Sequence, residues 1–401
     1  MVAHSRPCGV PHPQERARMP LPTPLIPPPA NHIPLGEGRS LRVCAQLGRG
    51  TGATVYRGAC EARFGVQREV AVKVFDIIAS DEQDAVTSTL ATAARRSACV
   101  RHPNVVRIED FGVFEPAQPF MVLELVEGRT LARLLGRLAR RSERLPLDLA
   151  LFIGLEVAEG LEGARVAVSP EGTRLGMTHG ELAASDVLLS WHGEVKVGDF
   201  GVGAASRTAS GVRFIGGMAQ RVRVLAPEVA RGKPGDARSD VFSLGVLLRE
   251  MLVGPRFPSF TGDSQALAWA REGVVHQSIF EPQPPPLLRA VLTRSLERDP
   301  ARRYPHAGAL ALELRRAALG MGVGDGRTFL RAALARAFGE DGARDDDETT
   351  GELRVPFPPG VIDRFARLRG EAPPEPAAAE ALKSGTQLVG GLVVEDAVEE
   401  G

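Results

Sequence analysis

The chain has 401 residues, enough to bury a substantial core and to hold more than one domain. Its 49 basic residues are matched by 49 acidic ones, a balance that argues against a general nucleic-acid footprint. No run of about 18 or more apolar residues and no apolar leader core are present, and the four cysteines (Cys8, Cys44, Cys60, Cys99) show no paired spacing, so a reduced, cytoplasmic protein without a membrane span is expected.

Residues 1–40 are proline-rich, including Pro27-Pro28-Pro29, and read as a disordered or polyproline-like arm, because proline removes backbone donors and the stretch lacks apolar periodicity. From Leu41 the pattern changes. Leu41 to Leu47 and Thr54 to Arg57 read as two strands joined by a glycine-rich turn, with Gly48, Gly50 and Gly52 where backbone must approach something closely. Val70 to Phe75 is a β-rich run with one lysine, Lys73, inside it. A lysine buried in a strand needs an anionic partner, and a nucleotide phosphate would serve; a lysine on an exposed strand face is the alternative.

Asp84 to Val100 reads as an alanine-rich helix, broken by His102-Pro103-Asn104, after which a strand begins. Phe120 to Val126 is a buried strand, Thr130 to Leu138 a short helix, and Leu147 to Leu161 a longer helix with an apolar face. His179-Gly180-Glu181 to Leu189 is a loop running into a strand. Val195-Lys196-Val197-Gly198-Asp199-Phe200-Gly201 is a strand ending in an acid at a glycine turn, a place from which a carboxylate can hold a metal ion over a cleft. Residues 202–225 form a glycine- and serine-rich loop with Arg207, Arg213, Arg221 and Arg223 and no acid, closed by Ala226-Pro227-Glu228. Ser239 to Leu248 is a strongly apolar helix with Asp240 as cap or first-turn acid. Helices follow around Leu287 to Leu296 and His306 to Ala318, and strands first with helices later suggest two lobes around a cleft. Phe329, Leu330, Ala333, Leu334 and Phe338 would share one face of a helix within 319–340. Residues 341–401, rich in Pro, Ala and acids, read as mostly disordered tail.

These motifs, in this order, resemble a bacterial-type Ser/Thr protein kinase domain over residues 41–318. The resemblance implies an α+β, bilobal fold with a small β-rich lobe (41–126) and a larger helical lobe (127–318). It also implies ATP and Mg2+ as ligands and a protein substrate or partner. Gly48, Gly50 and Gly52 resemble the phosphate-covering loop, although the family's last glycine falls at Ala53. Lys73 matches the phosphate-contacting lysine, Glu124 to Val126 the adenine hinge, and Val55, Ala71 and Leu188 the apolar residues that sandwich the base. Asp199 matches the magnesium-holding acid, Asp240 the acid that brace the catalytic loop, and Glu228 with Arg303 a late-domain ion pair.

The departures fall on chemistry. The helix glutamate that pairs with the lysine falls at Ala93. The family's His-Arg-Asp reads His179-Gly180-Glu181, so the base is one methylene longer, and a shift on the order of 1 Å in a positioned group can cost roughly 100-fold. The phosphate-contacting lysine of the loop is Ala183, the alternative arginine position is Ser185, and the metal-binding asparagine is Asp186. With Gly180 in place of arginine, phosphorylation at Ser206, Thr208 or Ser210 would lack its usual partner. The resemblance thus implies a pseudokinase-like signalling protein that binds ATP with impaired or absent phosphotransfer, acting as scaffold or allosteric partner. The alternative is an active Ser/Thr kinase with Glu181 as base and Asp186 as a second metal ligand.

Overall fold

The computed structural model describes residues 33–36, 39–50, 52–62, 64–76, 83–114, 118–202, 218–257, 261–275 and 284–339. The tail over 341–401, most of the proline-rich arm, and Ser206, Thr208 and Ser210 lie outside the described residues.

The small lobe is one antiparallel sheet of strands β1 (Ile33–Gly36), β2 (Arg39–Gly50), β3 (Ala53–Glu61), β4 (Gln67–Phe75), β5 (Ile108–Phe114) and β6 (Gln118–Glu124), in the order β1-β2-β3-β4-β6-β5. The arm expected over 1–40 therefore ends in a strand, for Ile33 to Gly36 pair with the start of β2. Alternation along β4 sets the two faces of the sheet. Val70, Val72 and Val74 pack with Leu41, Tyr56, Phe120 and Val122 on one side. Ala71, Lys73 and Phe75 point to the other, where Phe75 meets helix α1 (Gln83–Ser97) through Val86, Leu90 and Ala94. Those three, with buried Ser97, recur at helical spacing and form the stripe by which α1 docks. The helix stops three residues short of the expected Val100, in a turn before Pro103.

The large lobe opens with β7 (Gly128–Thr130) and α2 (Leu131–Arg140), whose N-cap is Thr130, its hydroxyl accepting from the Arg133 N–H. The central helix α3 (Leu147–Val166) runs five residues beyond the expected end and is buried almost all round. A short 3-10 turn (Ala184–Asp186) leads into β8 (Val187–Ser190), which pairs with β7 and β9 (Val195–Val197). The segment read as loop over 202–225 contains a helix, α4 (Met218–Val224), before α5 (Pro227–Ala230). In α6 (Ala237–Val253) the cap is Asp236, and Asp240 sits in the first turn. Helices α7 (Asp263–Glu272), α8 (Pro286–Ser295), α9 (Ala307–Gly320) and α10 (Gly326–Phe338) complete the described lobe.

Helix α10 docks on its own domain through Leu330, Leu334 and Ala337, all in the large-lobe core. Phe329, expected on that face, is exposed instead: the buried stripe runs i, i+4, i+7 from Leu330 and leaves Phe329 to the side. Arg137 and Arg141 donate to the final carbonyls of α10 at Arg336 and Ala337, satisfying groups that a helix end leaves open. No described helix is long and apolar enough to cross a membrane.

Candidate active site

Strand pairing builds the roof of the cleft. Gly48 lies opposite Val55 and Gly50 opposite Ala53, and Gly52 turns the hairpin at φ 87°, where a side chain would be strained. Val55 in turn lies opposite Lys73, and Ala71 opposite Leu123, so the expected base-covering residues and the lysine share neighbouring strands. The Lys73 Nζ lies 2.6 Å from Asp199 Oδ2. At the hinge, the Glu124 N–H donates to the Arg107 carbonyl, and its carboxylate holds Lys196 at 2.6 Å. Val126 lies just beyond β6, and among the described residues its N–H and C=O have no hydrogen-bond partner. Leu188 lies in β8 between Thr130 and Lys196.

The lower wall is one connected hydrogen-bond system. Both oxygens of the buried Asp240 carboxylate accept backbone N–H bonds at 2.8 Å, from His179 and Gly180. Burial pushes the Asp240 carboxyl up, with His179 and the two N–H groups acting against it. Gly180 adopts φ 86°, a left-handed conformation that costs glycine little. The His179 ring is buried, with Nε2 3.0 Å from the Gly198 carbonyl and its face near Phe200, so it ties the loop to the Asp199-Phe200-Gly201 turn. Asp186 accepts from the Ala183 N–H through Oδ2, and its own carbonyl accepts from Gly198 N–H. Asp199 itself sits at φ 61°, a strained backbone for a residue with a Cβ, of the kind found at functional sites. Burial raises its carboxyl; the Lys73 ammonium, helped by Arg221 and His179, outweighs burial and holds it below the usual carboxylate range. Farther out, Arg303, fully buried, forks onto Glu228 through two bonds of 2.8 Å, and Ser239 donates to the same carboxylate.

This constellation has an independent counterpart. Residues 41–311 match the family model for protein tyrosine and serine/threonine kinases. The chain belongs to the protein kinase family. A probable serine/threonine-protein kinase of Streptomyces coelicolor is 33% identical over 321 residues, covering 77% of this chain and 44% of that protein. The tyrosine-protein kinase MasK of Myxococcus xanthus is 30% identical over 297 residues, covering 74% and 46%. The serine/threonine-protein kinase PknL of Mycobacterium tuberculosis is 35% identical over 282 residues, covering 68% and 64%. The chain thus spans less than two thirds of these relatives' own lengths.

Within the kinase fold, Lys73 meets Asp199, the buried His179 ring lies 3.9 Å from Asp186, and Asp240 and the Glu228–Arg303 pair hold the surrounding backbone and helices. Helix α1 is docked, with Ser97 donating to the Phe200 carbonyl at 3.1 Å, yet it brings Ala93, not an acid, to the turn. Lys73 accordingly turns to Asp199. Glu181 is buried, and its Oε2 meets Arg221 Nη1 at 3.0 Å. That arginine was not among the residues singled out for the site; its mark in the sequence is an acid-free, arginine-bearing segment just ahead of Ala226-Pro227-Glu228. Asp186 and Asp199 are hard oxygen donors of the type magnesium takes alongside substrate phosphates. Among the described residues no cluster of three or more potential ligands could hold a metal without such help.

Proposed function

We propose that this chain is a Ser/Thr-type kinase domain that binds ATP with Mg2+ and transfers its terminal phosphoryl group slowly, so that its nucleotide-bound state carries much of its signalling role. The observation that carries this reading is the Lys73–Asp199 pair, 2.6 Å apart, with Ala93 where a carboxylate would hold the lysine in place. In this reading Val55, Ala71 and Leu188 enclose the base, Val126 offers it backbone bonds, and Gly48, Gly50 and Gly52 bring main chain over the phosphates. Asp199 and Asp186 would hold magnesium, which when bound neutralises phosphate charge. Lys73 then faces two tasks, the phosphates and Asp199, with one charge. Glu181 receives the substrate hydroxyl proton from one methylene farther along its side chain than aspartate would reach, and losses of about 10² to 10⁴ accompany a failed general base. The relatives named as serine/threonine-protein kinases support the substrate class.

The test joins two measurements. Magnesium-dependent ATP binding, read as a thermal shift, is expected to be clear. Radiolabelled transfer is expected to be low in the wild type and lower in Glu181→Gln. Absence of binding overturns the reading, and so does a turnover number in the ordinary range of about 1–100 s⁻¹ for kinases.

A further inference from the structure

We propose that Arg221 is the phosphoryl-facing cation of this active site, reaching the catalytic loop from the segment ahead of Ala226-Pro227-Glu228 in place of the lysine that the loop lacks at Ala183. The inference rests on the slow-transfer reading above and names the residue through which transfer runs.

Three observations carry it. The first is place. Arg221 Nη1 lies 3.0 Å from Glu181 Oε2, so a guanidinium stands beside the one acid positioned to take the substrate proton. Ala183 and Ser185 carry no charge. The second is orientation. Glu181 is 6% exposed at its side chain and Arg221 26%, so the carboxylate is the inner partner and the guanidinium the outer one. One nitrogen serves Glu181, and a guanidinium has five N–H donors in a fixed fork.

The third is the mount. Val222 and Val224 are buried on either side of Arg223. Ser243 donates to the Val224 carbonyl at 2.8 Å. Arg256, buried against Phe242 and Phe257, donates to the carbonyls of Arg223 and Leu225, and Arg223 donates to those of Phe257 and Thr261. At the end of helix α4 Val222 and Val224 face the core, while Arg221 is half-buried and meets Glu181. A preorganised cation of this kind costs no rearrangement at the moment of reaction.

In the transfer step the substrate hydroxyl oxygen bonds to the γ-phosphorus, and the bond from that phosphorus to the β–γ bridging oxygen breaks. Its electron pair leaves on ADP, and the hydroxyl proton passes to Glu181. Arg221 offsets the repulsion between the Glu181 carboxylate and the incoming phosphoryl charge.

The experiment compares wild type, Arg221→Ala, Arg221→Lys and the double variant Arg221→Ala/Ala183→Lys. It measures transfer from radiolabelled ATP to dephosphorylated casein, Mg·ATP affinity by titration calorimetry, and melting temperature. Arg221→Ala is expected to lose at least tenfold in kcat with Mg·ATP affinity within twofold, and both lysine-bearing variants to recover most of that loss. If Arg221→Ala melts early, Arg221→Met keeps the stem and reads the charge alone. A rate within twofold of wild type, or a rise on removing the arginine, overturns the proposal, the rise marking the ion pair as a lock on Glu181. Undetectable wild-type transfer with intact Mg·ATP binding overturns it while nucleotide binding stands; absent binding removes the underlying reading as well.

Discussion

Ala93 faces Gly201: a Cβ placed on Gly201 would stand 3.5 Å from the Ala93 Cβ. The small-lobe helix is therefore seated against the Asp199-Phe200-Gly201 turn, and what it lacks there is a charge. Lys73, inward on β4, is left with Asp199 as its partner at 2.6 Å. Helix position and charge have been uncoupled, since the apolar stripe of Val86, Leu90 and Ala94 seats the helix without an ion pair.

Restoring that charge should help. Ala93→Glu offers Lys73 a second carboxylate and frees Asp199 for magnesium. The expected gain in Mg·ATP affinity is about tenfold, corresponding to ~1.4 kcal/mol. Titration calorimetry checks it, and an unchanged affinity would mean that Lys73 does not respond to a carboxylate at this place.

Removing Lys73 should invert a pH dependence. In the wild type the Asp199 carboxyl is held below its ordinary value of 3.8, because the lysine outweighs burial. Its contribution to stability is then complete above about pH 4 and is lost as pH falls through the lowered value. In Lys73→Met burial remains without the cation, so the carboxyl rises above its ordinary value, and stability falls as pH climbs through the interval between the two. The melting-temperature deficit of Lys73→Met should be larger at pH 7 than at pH 4. An equal deficit at both would show that the pair does not govern Asp199.

The Glu228–Arg303 fork is a buried support of the large lobe. The Arg303 side chain is fully buried, its guanidinium 4.8 Å from the Phe242 ring, and both its bonds to Glu228 are 2.8 Å. Glu228→Ala leaves that charge buried and unpaired, a change that costs about 3–5 kcal/mol. Urea unfolding of the two proteins measures it, and a cost under about 1 kcal/mol would place the fork among the dispensable surface pairs.

Much of this was legible from residues alone where a local rule was decisive. A β-rich run marked β4, with Lys73 inside it; an acid at a glycine turn marked the bend at Asp199; the order of motifs gave the two-lobed kinase fold. Element ends were read less well, because they are set by particular contacts. Asp236 rather than Ser239 begins α6, and Ser239 instead donates to Glu228. The strand at Ile33 was hidden by proline-rich composition, since edge pairing to β2 is a tertiary event. Arg221 was one of four arginines in an acid-free stretch, and nothing local distinguishes the one that meets Glu181 forty residues away.

Helix α10 should report on the hinge. Its Phe338 ring meets Trp191 edge-on at 6.1 Å, and the Arg129 guanidinium lies over both rings. The Trp191 backbone N–H donates to the Glu127 carbonyl at 2.9 Å, one residue past Val126. Leu334, one turn before Phe338 on the same helix, is fully buried in the large-lobe core, and truncating such a leucine to alanine costs about 2–5 kcal/mol. Leu334→Ala loosens α10, and the loss of Phe338 from the stack reaches the hinge through Trp191. Amide exchange across residues 126–130 should then quicken at least tenfold relative to wild type, while the Arg303 region holds its protection. Local opening of this kind is read directly by hydrogen exchange. Equal quickening throughout the large lobe would show global destabilisation instead, and unchanged exchange at the hinge would show that the helix and the nucleotide site are independent.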